Sequence, residues 1–467
     1  MPALTVANEM RPLVNIPLVR AHIVASTLFL TVVLLGGFAY GLQLTNVYPF
    51  PDLEWASPGR VRMLHTNAAA YGFIANAFIG GMLWAIPRLT RQPILNDRFG
   101  WLIFWAWQIV VTAALLGIMG GYAQGVEWGE TPIFSDPLII VGLVLLVVNL
   151  TTPILKTRER GLYVSLWYFL AAFAWTGLVY IMGNYIPQFF VPGAAGAAIA
   201  GLFIHDLVGL FVTPIGWGLM YYFVPINLAK PIWSHALSLV GFWGIAFFYP
   251  MQGVHHFLWS PIPMYAQYGA VVATIAIEIV VTTVLVNFFG TLYGRANAVR
   301  TNMQIRWYYV GMINYLITCF QCSIQVTLTV QKVIHFTDWV VGHAHLVMFG
   351  VFGFWIMGMY VELWPRLVEQ REWHSRRLLT AHFWLTLVGL ELMFLTLTAA
   401  GLVQGYSWLN LDHWSISVLS SIPFWWVRSI SGLLIMLGTS LLFVNMWLTA
   451  RQPAEARVPG GATAQTV

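Results

Sequence analysis

Apolar runs of membrane-spanning length recur about twelve times along this chain, near residues 18–43, 64–87, 99–121, 136–155, 161–184, 193–225, 236–258, 266–290, 307–331, 340–363, 379–403 and 428–449. Inside a bilayer every backbone N–H and C=O must find its partner within the protein, which leaves the helix or the closed barrel. Runs of about 20 apolar residues suit a helix and are twice the length of a barrel strand. The sequence therefore predicts an all-α integral membrane bundle of about twelve transmembrane helices. Composition agrees: 59% of residues are hydrophobic and 8% charged, against about a quarter charged in soluble domains. No soluble domain fits in the gaps, so residues 1–450 are expected to form one bundle, with 451–467 a disordered cytoplasmic tail. The first run is already a full span, unlike the short apolar region of a cleaved leader.

Charge supplies the orientation. Basic residues crowd alternate connections: Arg88, Arg91 and Arg98; Lys156, Arg158 and Arg160; Lys230; Arg295, Arg300 and Arg306; Arg366, Arg371, Arg376 and Arg377. The intervening connections, such as GVEWGETPIFSD (125–136) and SWLNLD (407–412), are acidic or nearly uncharged. The positive-inside rule then places both termini in the cytoplasm, in keeping with an even number of spans. The net charge of +5 is thus an orientation signal toward lipid and not a nucleic-acid footprint. Cys319 and Cys322 form a C-x-x-C inside the ninth run and read as small buried hydrophobes. The sequence has no C-x-x-C-H, so it carries no covalently attached c-type haem.

Six of the twelve histidines fall at apolar positions. His65 lies in VRMLHTNAAAYGF, His205 in GLFIHDLVGLF, His255 and His256 in MQGVHHFLW, and His343 and His345 in TDWVVGHAHLVMFG. Imidazole is a costly guest in hydrocarbon unless something compensates for its polarity. With the N-terminus inside, all six can occupy one layer in the outer part of the bundle. Neutral imidazole ligates haem iron, copper or non-haem iron. Helix residues two apart point about 200° from each other, so His343 and His345 serve different centres. His255 and His256, diverging by about 100° on a helix, need a third ligand from a neighbour such as His205. The economical assignment is one haem on two histidines, a second haem on one, and a three-histidine metal facing it. A twelve-span transporter would show repeated broken helices and would leave the layered histidines unexplained.

The motifs LHTN, MYYFVP (220–225), HH, TDW..GHAH and VRSISGLL (427–434) together resemble subunit I of the haem–copper oxidase superfamily. The likeness is greatest to its C-family, the cbb3-type cytochrome oxidases, with the nitric oxide reductases as relatives, and runs from about residue 60 to residue 440. The resemblance implies His65 and His345 on a low-spin haem, His343 on a high-spin haem, and His205, His255 and His256 on copper. It implies b-type haems, a bacterial cytoplasmic membrane, and a partner subunit that delivers electrons from a c-type haem or a copper centre. Tyr249, in AFFYPMQGVHH, matches the family's active-site tyrosine. That residue is bonded to a metal-ligand histidine, here His205, and supplies an electron and a proton as the O–O bond breaks. Arg428 matches an arginine paired with haem propionates, and Glu127 and Glu130 match positions associated with a bridging calcium. Thr213, Tyr221, Ser234, His235 and Ser238 match a polar route for protons from the cytoplasm.

Two residues depart from that pattern. Gln321 stands where the relatives have a buried glutamate, and Asp206 directly follows His205. A carboxylate near the metal favours iron over copper, although the helical turn points Asp206 away from its neighbour. The c-type nitric oxide reductases carry a glutamate one turn after the first metal histidine, and here that position is Gly209. The expected function is a respiratory terminal reductase converting O2 to water and contributing to a proton gradient. The alternative is reduction of NO to nitrous oxide, with a non-haem iron in place of copper.

Overall fold

The computed structural model describes residues 12–159 and 161–453. Most of the expected tail, and Arg160, lie outside the described residues. Among these there are eleven helices long and apolar enough to cross a membrane and one bent pair that brings the number to twelve. In chain order they are α1 (Ile16–Leu44), α2 (Pro58–Thr90), α3 (Asp97–Met119), α4 (Ile133–Lys156), α5 (Val164–Phe189) and α6 (Gly193–Leu228). They continue with α7 (His235–Phe257), α8 (Met264–Leu292), α9 (Met303–Gln325), α10 (Asp338–Leu367), α11 (Arg376–Leu409) and α12 (Trp414–Ala450). α2 and α10 are the most enclosed, and the remaining helices pack around them.

Hydropathy predicts an unbroken ninth span over 307–331. The helix ends instead at Gln325, and the chain turns through 104° into a short helix, Leu328–Ile334. Thr327 makes the corner: its backbone is extended and its hydroxyl donates back to Ile324 O at 2.8 Å. Both arms are apolar, so hydropathy alone does not separate a crossing helix from one that bends away. The seventh span also differs from its expected form. Its α-helix stops at Phe248, and tight 3-10 turns (Tyr249–Met251 and Gly253–Phe257) carry the two adjacent histidines. Pro250 brings no N–H to continue the helix. The 100° divergence expected of His255 and His256 on an α-helix therefore does not apply.

Three π-helical stretches interrupt α2, α6 and α10 at Ala68–Ile74, Val208–Val212 and Leu346–Gly353. They begin three residues after His65, three after His205 and one after His345. A π-turn inserts an extra residue into the helical register and re-aims the side chains beside it. Each helix that carries apolar-layer histidines in regular structure has one.

The outer end of α10 is tied to its neighbours through one carboxylate. Asp338 Oδ2 accepts from Gln404 Nε2 on α11 and Trp425 Nε1 on α12, each at 2.7 Å, while its backbone N–H donates to Gln404 Oε1 at 2.8 Å. Hydrogen bonds to a charged group contribute about 1.5–3 kcal/mol each. Asp338→Ala is expected to lower the thermal unfolding midpoint of the detergent-solubilised complex, followed by tryptophan fluorescence, with Asp338→Asn losing less. An unchanged midpoint in the alanine variant would show that the tie is not a structural one.

Candidate functional site

α6 and the turns after α7 bring His205, His255 and His256 together, with one ligand nitrogen from each lying within 4.8 Å of the others. His205 Nδ1 and His256 Nε2 are 3.1 Å apart. Three imidazole nitrogens bound at about 2.0–2.1 Å to a four-coordinate metal stand roughly 3.3 Å from one another, so the spacing suits a single ion. Neighbouring groups hold the rings. The Thr274 hydroxyl donates to Ala270 O at 2.7 Å, so its oxygen accepts from His255 Nδ1–H at 2.7 Å. That leaves His255 Nε2 with its lone pair. His205 Nε2–H donates to Gln252 Oε1 at 3.0 Å, which leaves Nδ1 for a metal. Such outer partners are what fixes the tautomer of a ligating histidine.

The Tyr249 ring stacks on His205, with centroids 4.5 Å apart and planes within 15°. The space for that ring comes from Gly209: a Cβ there would overlap the ring carbons of Tyr249. A glutamate at position 209 and a tyrosine in this rotamer exclude each other. Asp206 is 1% exposed, its Oδ1 has no hydrogen-bond partner among the described residues, and it does not join the three histidines.

His343 projects from α10 into a cavity of about 280 Å³ that it shares with Tyr249 and the three-histidine group. His343 Nδ1–H donates to Gln321 Oε1 at 3.0 Å, again leaving Nε2 with its lone pair. His345 turns the other way, toward His65 on α2, with ring centroids 6.0 Å apart and planes within 23°. Two metal–nitrogen bonds of about 2 Å plus the two half-rings add to about 6 Å, the spacing of an axial pair. Both Nδ1–H groups donate to backbone carbonyls, His65 to Val33 at 2.7 Å and His345 to Val341 at 2.8 Å. Arg428 is buried beside this pair, its guanidinium 5.3 Å over Tyr40, with no carboxylate at ion-pair distance among the described residues.

Glu127 and Glu130 flank Arg62, whose guanidinium lies 3.9 and 3.6 Å from them. Glu130 is buried and accepts from Asn67 Nδ2 at 2.8 Å. Burial pushes its pKa up, against the opposing pull of Asn67 and Arg62.

Of the polar route, Thr213 lines the cavity, and Ser234, Ser238 and Tyr221 meet at Asn287. Asn287 Nδ2 donates to Ser238 Oγ at 2.9 Å and to Ser234 O at 3.0 Å. His235 is exposed and rests on Trp167, apart from this cluster. Asn287, Gln252 and Thr274 carry no sequence motif. Glu278 carries none either, and sequence reasoning misses it. It stands in an apolar run, lines the cavity, and accepts from Ser323 Oγ at 2.6 Å. The two cysteines, expected as packing residues, line the same cavity, with Cys322 Sγ 3.6 Å from His343 Nε2.

A twelve-span bundle with layered histidine sites on both sides of one helix defines a membrane redox protein. Residues 17–434 match the family model described as cytochrome c and quinol oxidase polypeptide I, and the chain belongs to that family. It is 30% identical to cytochrome c oxidase subunit 1 of Rhodobacter capsulatus, over 94% of this chain and 86% of that protein. It is 28% identical to the cbb3-type subunit CcoN1 of Stutzerimonas stutzeri, over 86% and 89%. A nitric oxide reductase subunit of the same organism is 22% identical over 91% and 93%. The fold resembles that of a haem–copper terminal oxidase dimer solved by cryo-electron microscopy, with a TM-score of 0.73 at 13% identity, covering 94% of this chain and 84% of the other. The chain is thus a multi-pass oxidoreductase subunit. The family implies haem and copper, and the residues described above fit both.

Because Gly209 and Tyr249 share one space, Gly209→Ala should displace the ring and cost about 1–3 kcal/mol of stability, as overpacking usually does. Adding Tyr249→Ala should recover most of that loss. Thermal midpoints of the two single variants and the double variant test the coupling; additive losses would refute it.

Proposed function

We propose that this chain is the catalytic subunit of a terminal reductase that converts O2 to water. The observation that carries the reading is the Tyr249 ring stacked on His205 over Gly209, which fills the place where the c-type nitric oxide reductases carry a glutamate. His65 and His345 hold the low-spin haem and His343 the high-spin haem, both of b type, while His205, His255 and His256 hold copper. Bound haem and copper supply the electrons and the affinity for O2. Tyr249 would supply a hydrogen atom from its hydroxyl, and its stacking on His205 keeps the phenol beside the three-histidine group. Gln321 and Thr274 hold His343 and His255 as neutral donors through their Nδ1–H groups. Arg428 would pair with haem propionates through its guanidinium, and Glu127 and Glu130 would hold calcium at the outer edge in place of the Arg62 guanidinium that now faces them. Electrons arrive from a partner subunit.

Protons enter from the basic-loop side, through Ser234, Asn287, Ser238 and Tyr221, with His235 at the exposed mouth. Glu278 supplies within the cavity the titratable carboxyl that Gln321 lacks. The same carboxylate favours the second reading, NO reduction with iron, because hard oxygen donors suit iron better than copper.

Metal analysis of the purified complex, with partner-subunit metals counted separately, decides between them. One copper per two haems and water as product from O2 are expected; a third iron with nitrous oxide from NO would overturn the reading. Asn287→Val removes the hub of the polar cluster and should slow proton uptake and turnover by about tenfold, roughly one lost buried hydrogen bond. Haem reduction by an artificial donor should stay unchanged. Equal loss of haem reduction would show that Asn287 acts on the fold instead.

A further inference from the structure

On the basic side of the bundle, a cavity of about 530 Å³ opens where α9 begins, α10 ends and α11 begins. It lies on the side opposite the histidine layer. Four arginines converge on it from separate parts of the chain: Arg306, Arg366, Arg371 and Arg376. Two carboxylates face them, Glu362 and Glu372, so the lining carries a net charge of +2, four positive less two negative.

The internal pairing leaves that excess in definite places. Glu362, only 7% exposed, is engaged by Arg366 at 2.5 Å and by Gln304 Nε2 at 3.2 Å. Glu372 is engaged by Arg376 at 3.2 Å. Arg306 donates Nε to Val299 O at 3.0 Å and Nη2 to Arg300 O at 2.5 Å, and lies over Phe383. Neutral carbonyls orient its charge without cancelling it. Arg371 has no ion pair or hydrogen bond among the described residues. Two guanidinium charges therefore face the cavity uncompensated, one of them fixed in place before any ligand arrives. The rest of the wall is mixed: Val361, Pro365, Trp373 and Leu379 form an apolar side, and Asn302 and Thr380 are among its polar residues.

We propose that this cavity binds a phosphate-bearing anion, between Arg306 and Arg371. A guanidinium presents a planar fork of N–H donors that matches phosphate oxygens. A basic pocket between transmembrane helices on the cytoplasmic side suits an anionic lipid headgroup, and the side formed by Val361, Pro365, Trp373 and Leu379 would receive its chains. Free phosphate offers the same oxygens without the chains.

The test uses the intact purified complex after detergent washing. Binding of phosphatidylglycerol, phosphatidylcholine and inorganic phosphate is followed by native mass spectrometry and by the thermal midpoint at matched ionic strength. Phosphatidylglycerol should bind and raise the midpoint, phosphatidylcholine should not, and Arg371→Gln should weaken binding by about tenfold, one charged hydrogen bond. Arg371→Lys should recover part of the loss. Inorganic phosphate binding with the same dependence on Arg371 would also support the site and assign its source to free phosphate. If neither anion binds better than phosphatidylcholine, or if binding is indifferent to Arg371, the proposal fails. Arg371 is exposed, so its variants should fold, and an unchanged haem spectrum serves as the control.

Discussion

A neutral imidazole buried in hydrocarbon has one N–H that must be satisfied inside the protein, and the arrangement of this site follows from that requirement. The acceptors are Val33 O for His65, Val341 O for His345, Gln321 Oε1 for His343 and Thr274 Oγ1 for His255. Each takes the Nδ1 proton and so leaves Nε2 as a lone-pair donor. His205 is held the opposite way, by Nε2, through Gln252. The desolvation cost of an unpaired polar group and the needs of metal ligation thus act in the same direction. The π-helical stretches shift the helical register just after His65, His205 and His345.

The bundle and its histidines were legible in the sequence because both rest on large free-energy penalties. A charged or unpaired group in lipid is expensive, so long apolar runs and isolated histidines stand out. What remained hidden depends on smaller differences. The bend after Gln325 joins two apolar arms that look alike by hydropathy. The 3-10 turns under His255 and His256 follow from Pro250, a residue compatible with a kinked helix as well. Asn287, Thr274 and Gln252 are polar residues of a common sort, and their roles appear only when distant segments meet. Glu278 is one carboxylate in an apolar run, with no neighbouring motif to single it out. Cys319 and Cys322 fit a packing role, since nothing in a C-x-x-C spacing says which way a helix face turns.

The pairing of Gly209 with Tyr249 changes how those two positions count. In sequence they are forty residues apart and look like independent indications of chemistry. In space one side chain occupies the volume the other would need. They amount to a single binary choice between a ring and a carboxylate beside the same histidine, His205. Glu278 approaches the cavity from α8 and is free of that exclusion, so a carboxyl and the tyrosine coexist in this protein.

The two approaches to the histidine cavity come from different parts of the fold. Beyond the 104° turn, Gln331, and His335 just after the short helix, line the outer part of the histidine cavity. The polar cluster at Asn287 approaches the bundle interior from the opposite, arginine-rich side. Under the proposed function and orientation, each proton consumed would travel outward through part of the membrane while electrons would arrive from the outer side. Opposite charges moving in from opposite faces act like current across a capacitor, at about 2.3 kcal/mol per charge for each 100 mV crossed in full. Turnover would then charge the membrane by the placement of the site alone, and a rising membrane potential would push back on the reaction.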